Sequence, residues 1–240
     1  MGLFNTAEAL CAVVESSSFE AEELNETRFE SAWRMCRWDL QELGSIKSKT
    51  FHANVFNILS SINCGQVELA GEEIVSSTLD TIHALGSAVE SKSAKAVREH
   101  MTRLRMLQTL KLATNPEASH YVFEKFSPAK DKDEIDLALL HSLSDILEDP
   151  DIKCRTAVLL SDRLRDSKSL DSAHRAMSIL SGSADALPNV SLTTRAKWKL
   201  CEANLIWDVN ERRAAVRAAC EVVLFLGGSP LEMQWKQLTG

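Results

Sequence analysis

Along almost the whole chain the apolar residues recur at the spacing of an α-helix, and the strict alternation of a half-buried strand is nearly absent. Leu3, Ala7, Leu10 and Val14 follow i, i+4, i+7, i+11, one stripe of a helix that Asn5 and Glu8 can cap as a pair. Comparable stripes run through Val55, Leu59, Ile62, through Leu140, Leu143, Leu147, and through Ala157, Leu160, Leu164. They continue at Leu170, Ala173, Met177, Leu180, at Leu192, Ala196, Leu200, Ala203, Trp207, and at Ala215, Ala219, Val222, Leu226. Three prolines stand where helices begin: Asn115-Pro116, Asp149-Pro150 and Ser229-Pro230 each place a capping side chain before Pro at the first helical position. These signals predict helices over 3–16, 21–43, 51–63, 66–90, 93–113, 117–126, 134–148, 150–166, 169–182, 192–208 and 210–226, with a further one starting at 230. The polar stretches 44–49, 127–133 and 183–190 read as loops.

Connections this short force successive helices to pack as antiparallel hairpins. Three places repeat one pattern. Leu164–Ser167 leads into Leu170–Ala176, Trp207–Asn210 leads into Ala214–Ala219, and the helix carrying Ala32-Trp33 and Trp38-Asp39 ends similarly. A bulky residue late in one helix and alanines early in the next let the pair approach closely, as in tetratricopeptide-like repeats completed by stacking on a neighbour. The expected fold class is therefore all-α: an irregular α-solenoid of antiparallel tetratricopeptide-like hairpins, with residues 1–240 as a single helical-repeat region.

Composition agrees with a folded helical chain. Hydrophobic residues make up 45% and charged ones 25%, and nine Gly with five Pro leave few breakers in 240 residues. The net charge of −7 argues against a nucleic-acid surface, which needs a basic patch. The densest basic run, Lys92, Lys95, Arg98, Arg103, Arg105 and Lys111, scatters around a helix instead of lining one face. No apolar run approaches a membrane span. Met1-Gly2 with Thr6 matches a myristoylation signal loosely and reads better as a helix start. The six cysteines (Cys11, Cys36, Cys64, Cys154, Cys201, Cys220) form no CxxC pair, and each sits in or beside an apolar stretch, where a free thiol behaves as a small buried hydrophobe. That usage points to a reducing compartment.

Candidate chemistry is sparse. The sequence holds no Gly-rich phosphate loop, no GxSxG, no HExxH and no EF-hand pattern. Its six histidines (His52, His83, His100, His120, His141, His174) are isolated in sequence, and the acidic runs at 20–23 and 131–134 sit at expected helix starts, where the macrodipole favours them. Trp33, Trp38, Trp198, Trp207 and Trp235 fit inter-helix packing better than a recognition surface. Trp198 lies off the expected apolar stripe of its helix, so it is the tryptophan expected to touch another module.

Two segments carry a resemblance. Glu22–Arg34, with Ala32-Trp33-Arg34 and then Trp38-Asp39, resembles the "AAWR…WD" helix in the FAT domain of ATM-type phosphatidylinositol-3-kinase-related protein kinases. Leu200-Cys201-Glu202-Ala203 through Trp207 is similar to that family's L-x-E-A-x-x-x-W helix, also followed by an alanine-rich partner. Between them come a long helical pair at 67–113, a Leu-rich acidic helix at 134–148 and a hairpin around 160–176, in the family's order. The resemblance implies a non-catalytic scaffold that supports a kinase domain and dimerisation of a larger nuclear serine/threonine kinase acting in DNA-damage signalling and telomere maintenance. Its partners would be the kinase domain and the neighbouring solenoid of the same polypeptide, without direct contact to nucleic acid or membrane. ATP and Mg would belong to that kinase domain, and no catalytic, cofactor or metal residue is assigned within this chain. The marked residues, Ala32, Trp33, Trp38, Asp39, Leu200, Glu202, Ala203 and Trp207, are expected to be structural. The alternative is a free-standing tetratricopeptide-like adaptor, which would need Lys, Arg and Asn clamping a peptide carboxylate from its inner helix faces.

Overall fold

A computed structural model describes residues 18–38, 48–115, 122, 134–147, 149–168, 170, 173–174, 176–177 and 190–226. Among these every element is helical: α1 (Ser18–Arg34), α2 (Phe51–Asn63), α3 (Val67–Glu90), α4 (Ala94–Ala113), α5 (Glu134–Ile146), α6 (Pro150–Asp166), α7 (Leu192–Asp208) and α8 (Arg212–Leu226). The all-α expectation holds. The helices expected at 3–16 and from 230 lie outside the described residues, as do Asp39, Cys11 and Trp235, and of 117–126 only the buried, helical Val122 is described.

The links between helices follow one local design. Gly65, Lys92 and Asn210 are the middle residues of three-residue links after α2, α3 and α7, and each takes the left-handed conformation, with φ of 73°, 54° and 69°. In each, the N–H of the left-handed residue donates three residues back (Gly65 to Ile62, Lys92 to Val89, Asn210 to Trp207). The next N–H donates five back (Gln66 to Ser61, Ser93 to Ala88, Glu211 to Ile206). That pair of bonds satisfies orphaned carbonyls at a helix end and turns the chain sharply into the next helix. Cys36 (φ 53°) closes α1 in the same way, with Arg37 N–H reaching Ala32 and Cys36 N–H reaching Trp33. The predicted 21–43 helix therefore stops at Arg34, and Trp38 stands beyond its end.

Side chains cap several helix starts, Asp149 at the one expected. Asp149 accepts from the N–H groups of Asp151 (2.9 Å) and Ile152 (3.1 Å) beside Pro150, Ser93 from Ala96, and Ser191 from Thr194. α2 differs, because Thr50 makes no side-chain cap. The carboxylate of Glu26 on α1 accepts the His52 N–H instead (3.2 and 3.1 Å), so a neighbouring helix caps it.

The helices divide into two compact units, α1–α4 and α5–α8. In the first, α2 packs against α1, α3 and α4 and buries Phe51, Ala53, Val55, Phe56, Ile58, Leu59 and Ser61, residues from nearly every side. In the second, α5 buries nine residues in succession, Asp136 to Ser144, against a neighbourhood that includes α6. The Leu140/Leu143/Leu147 stripe understates this burial, and Leu147 itself is exposed past the helix end. α7 contacts α6 and α8 and is buried on two opposite sides. Thr194, Trp198, Cys201 and Leu205 form one side; Ala196 and Ala203 form the other, with Leu200 beside Ala196 and Val222 of α8.

Candidate functional site

The richest side-chain cluster of the first unit lies where α1 meets the start of α2. Trp33 is wholly buried, as is Ala32 beside it. The indole N–H of Trp33 donates to His52 Nδ1 (3.3 Å), and the two rings stack at 24° with centroids 5.9 Å apart. That bond fixes the imidazole proton on Nε2, which faces Glu30 at 3.8 Å. Glu30 also holds Arg34 at 2.7 Å, and the Arg34 guanidinium lies over Trp33, 5.5 Å from the ring centroid. Burial lowers the His52 pKa, against the upward pull of Glu30 and Glu26 and with further lowering from Arg34 and Arg103. The imidazole is thus a neutral acceptor that locks α1 to α2. Phe29 and Phe56 pack nearby at 5.6 Å, Trp38 meets Phe56 at 6.0 Å, and Arg103 of α4 covers Phe51.

The corresponding cluster of the second unit joins α6, α7 and α8. Arg165 donates to Asp162 (3.2 Å) and to Asp208 at the end of α7 (3.0 Å), so one guanidinium ties two helices. Lys199 pairs with Glu202 (3.0 Å) and approaches Glu221 of α8 (3.7 Å). The Cys201 thiol donates to Asp162 at 3.5 Å. Burial first, then the Asp162 charge, pushes Cys201 up to about 12, and burial first, then Asp151, does the same to Cys154. Thiols this weakly acidic carry almost no thiolate at neutral pH and serve as packing groups. Burial likewise raises Asp162, while the bonds from Cys201 and Arg165 pull it down.

Of the marked residues, Ala32 and Trp33 meet in one cluster, Trp38 lies at its rim, and Ala203 is buried. Leu200 is half-buried against Ala196 and Val222, and Glu202 forms the Lys199 pair. Asp39 is outside the described residues. The reading of α7 needs correction at two tryptophans. Trp198, expected to reach outward, is buried, with its indole N–H unpartnered among the described residues. Trp207, placed on the inner stripe, is 51% exposed and carries Arg212 over its ring at 5.6 Å. The physical cause is that α7 has two buried faces: the stripe from Leu192 follows the Ala196–Ala203 face, which is exposed at both ends, and Trp198 belongs to the other.

A further correction concerns two cysteines. Cys64, in the link after α2, and Cys220, on the solvent side of α8, are exposed; among the described cysteines only Cys154 and Cys201 behave as buried hydrophobes. His52, isolated in sequence, gains its partners Trp33, Glu26 and Glu30 from another helix, which spacing along one segment does not reveal. Among the described residues no three His, Cys, Asp or Glu side chains converge as a metal site, and no helix is long and apolar enough to cross a membrane. Compared with family models, with curated proteins and with solved structures, the chain matches none.

Proposed function

We propose that the chain is a non-catalytic helical scaffold, a segment of the FAT domain of an ATM-type phosphatidylinositol-3-kinase-related kinase. The observation carrying this reading is the order of its two tryptophan-motif helices, with Trp33 in the core and α7 packed on two sides although Trp207 itself is exposed. The Ala32-Trp33-Arg34 turn is locked into the α1–α2 junction, and the Leu200–Trp207 helix is packed on two opposite sides. Burial on two sides is what an inner helix of stacked tetratricopeptide-like hairpins requires, so the same observation favours an irregular α-solenoid. On this reading the segment supports the kinase domain and dimer contact of a nuclear enzyme in DNA-damage signalling and telomere maintenance. Phosphotransfer, with its ATP and Mg, belongs to that kinase domain.

An adaptor acting on its own is the second reading, favoured by the apolar side chains that α3 presents to solvent. Reading the full-length transcript through both ends of this coding region separates the two. An in-frame kinase catalytic domain downstream is expected; a stop codon shortly after Gly240 without such a domain overturns the FAT assignment.

A further inference from the structure

The side of α3 turned inward is less hydrophobic than the side turned outward. Its buried residues are Ala70, Ile74, Ser77, Thr81 and Ala88, mostly small or hydroxyl-bearing, and Thr81 bonds the Ser77 carbonyl of its own helix. Val75, Leu79, Ile82 and Val89 follow i, i+4, i+7, i+14 on the outer side, each about half exposed (54%, 55%, 48% and 58%). Gly86 falls on the same stripe at i+11 and Gly71 beside its N-terminal end; a Cβ on either would meet nothing, so backbone there is open to close approach. Soluble chains expose single apolar residues freely, but a stripe of four on one helix marks a contact surface.

Charge selects what covers it. α3 carries Glu68, Glu72, Glu73, Asp80 and Glu90 and no Lys or Arg. By helical position Glu68, Glu72 and Glu90 run along the stripe, with His83 among them and Asp80 further round. A second copy docked α3 to α3 would set these carboxylates against each other, and an anionic lipid surface would be repelled. A helix with an apolar face flanked by Lys and Arg satisfies both features at once.

We propose that the outer face of α3 is a docking site for a basic amphipathic helix of another polypeptide. The apolar anchors seat on Val75, Leu79, Ile82 and Val89, with the partner's cations on Glu68, Glu72 and Glu90. This holds whether the chain stands alone or within a larger protein, so it does not depend on the FAT assignment.

The test uses the whole chain and two fluorescent helical peptides with the same Leu stripe, one flanked by Lys and the other by Glu, with binding read by anisotropy. The Lys peptide is expected to bind and to weaken several-fold with added salt, and the Glu peptide to bind at least about tenfold less well. Replacing two anchors (L79S/I82S) should cost about tenfold in affinity with the melting temperature unchanged, because both side chains face solvent. Reversing charge (E72K/E90K) should shift preference towards the Glu peptide. Equal binding of both peptides, binding to neither, or indifference to both double variants overturns the proposal. So does a concentration-dependent dimer in sedimentation that L79S/I82S abolishes, which would assign the face to a second copy.

Discussion

Trp33 ties α1 to α2 in the first unit, since it is buried at their junction, donates to His52 and lies under Arg34. Trp33→Ala is expected to cost about 4 kcal/mol in urea unfolding, the range for emptying a buried aromatic site. Trp33→Phe keeps most of the volume but leaves His52 Nδ1 without its donor, so it should cost less and still be clearly measurable. In the second unit His141 is wholly buried, neither ring nitrogen finds a hydrogen-bond partner among the described residues, and its pKa falls to about 4. Burial is the main cause, with Lys153 adding to it and Asp145 opposing. The unfolded imidazole protonates near its ordinary 6.5 and the folded one only near 4, so the unfolded chain binds more protons throughout that window. The stability of the neutral buried form is present above pH 6.5 and is lost as pH falls to 4, by up to about 3 kcal/mol. Comparing His141→Leu with the parent chain across that window should show a flatter stability curve in the variant. Thiol labelling makes a second distinction: Cys64 and Cys220 should react in the native protein at neutral pH, and Cys154 and Cys201 only after denaturation.

At the scale of the element, local capping chemistry announces some helix boundaries and hides others. Asp149 before Pro150 announces α6, and the bonds to Asp151 and Ile152 follow; Asp149→Ala should cost about 1 kcal/mol. The cap of α2 cannot be read locally, because Glu26 is supplied by α1, twenty-six residues before the N–H it accepts. Glu26→Gln should destabilise the first unit, whereas Thr50→Ala should weigh less, since Thr50 caps nothing directly. Six of the eight helix ends (Asn63, Glu90, Ala113, Asp166, Asp208 and Leu226) fall at the expected residue, and α1, which stops at Arg34 and not at 43, is the main exception. Glycine signals a left-handed residue, and among the described residues only Gly65 supplies one, while Cys36, Lys92, Lys168 and Asn210 adopt the same conformation without it. Lys92→Gly relieves that strain and should raise stability by up to about 1 kcal/mol in thermal unfolding, while Gly65→Ala should lower it.

At the scale of the molecule, helical periodicity is sufficient to give an all-α chain and the positions of most helices. It does not say which face of α7 or α3 is buried, because both carry apolar residues on more than one side and the neighbours decide between them. The tryptophan helices likewise declare themselves as motifs, yet only packing separates Trp33 and Trp198 in the core from Trp207 at the surface. The proposed ATM-type assignment rests on the order of those helices, and it makes a claim about the native polypeptide as a whole. An antibody raised against the exposed outer face of α3 can recover that polypeptide from its source, and its mass can then be measured. A species several-fold longer than 240 residues that phosphorylates serine or threonine substrates is the predicted result; a polypeptide of about the length of this chain, without kinase activity, contradicts it.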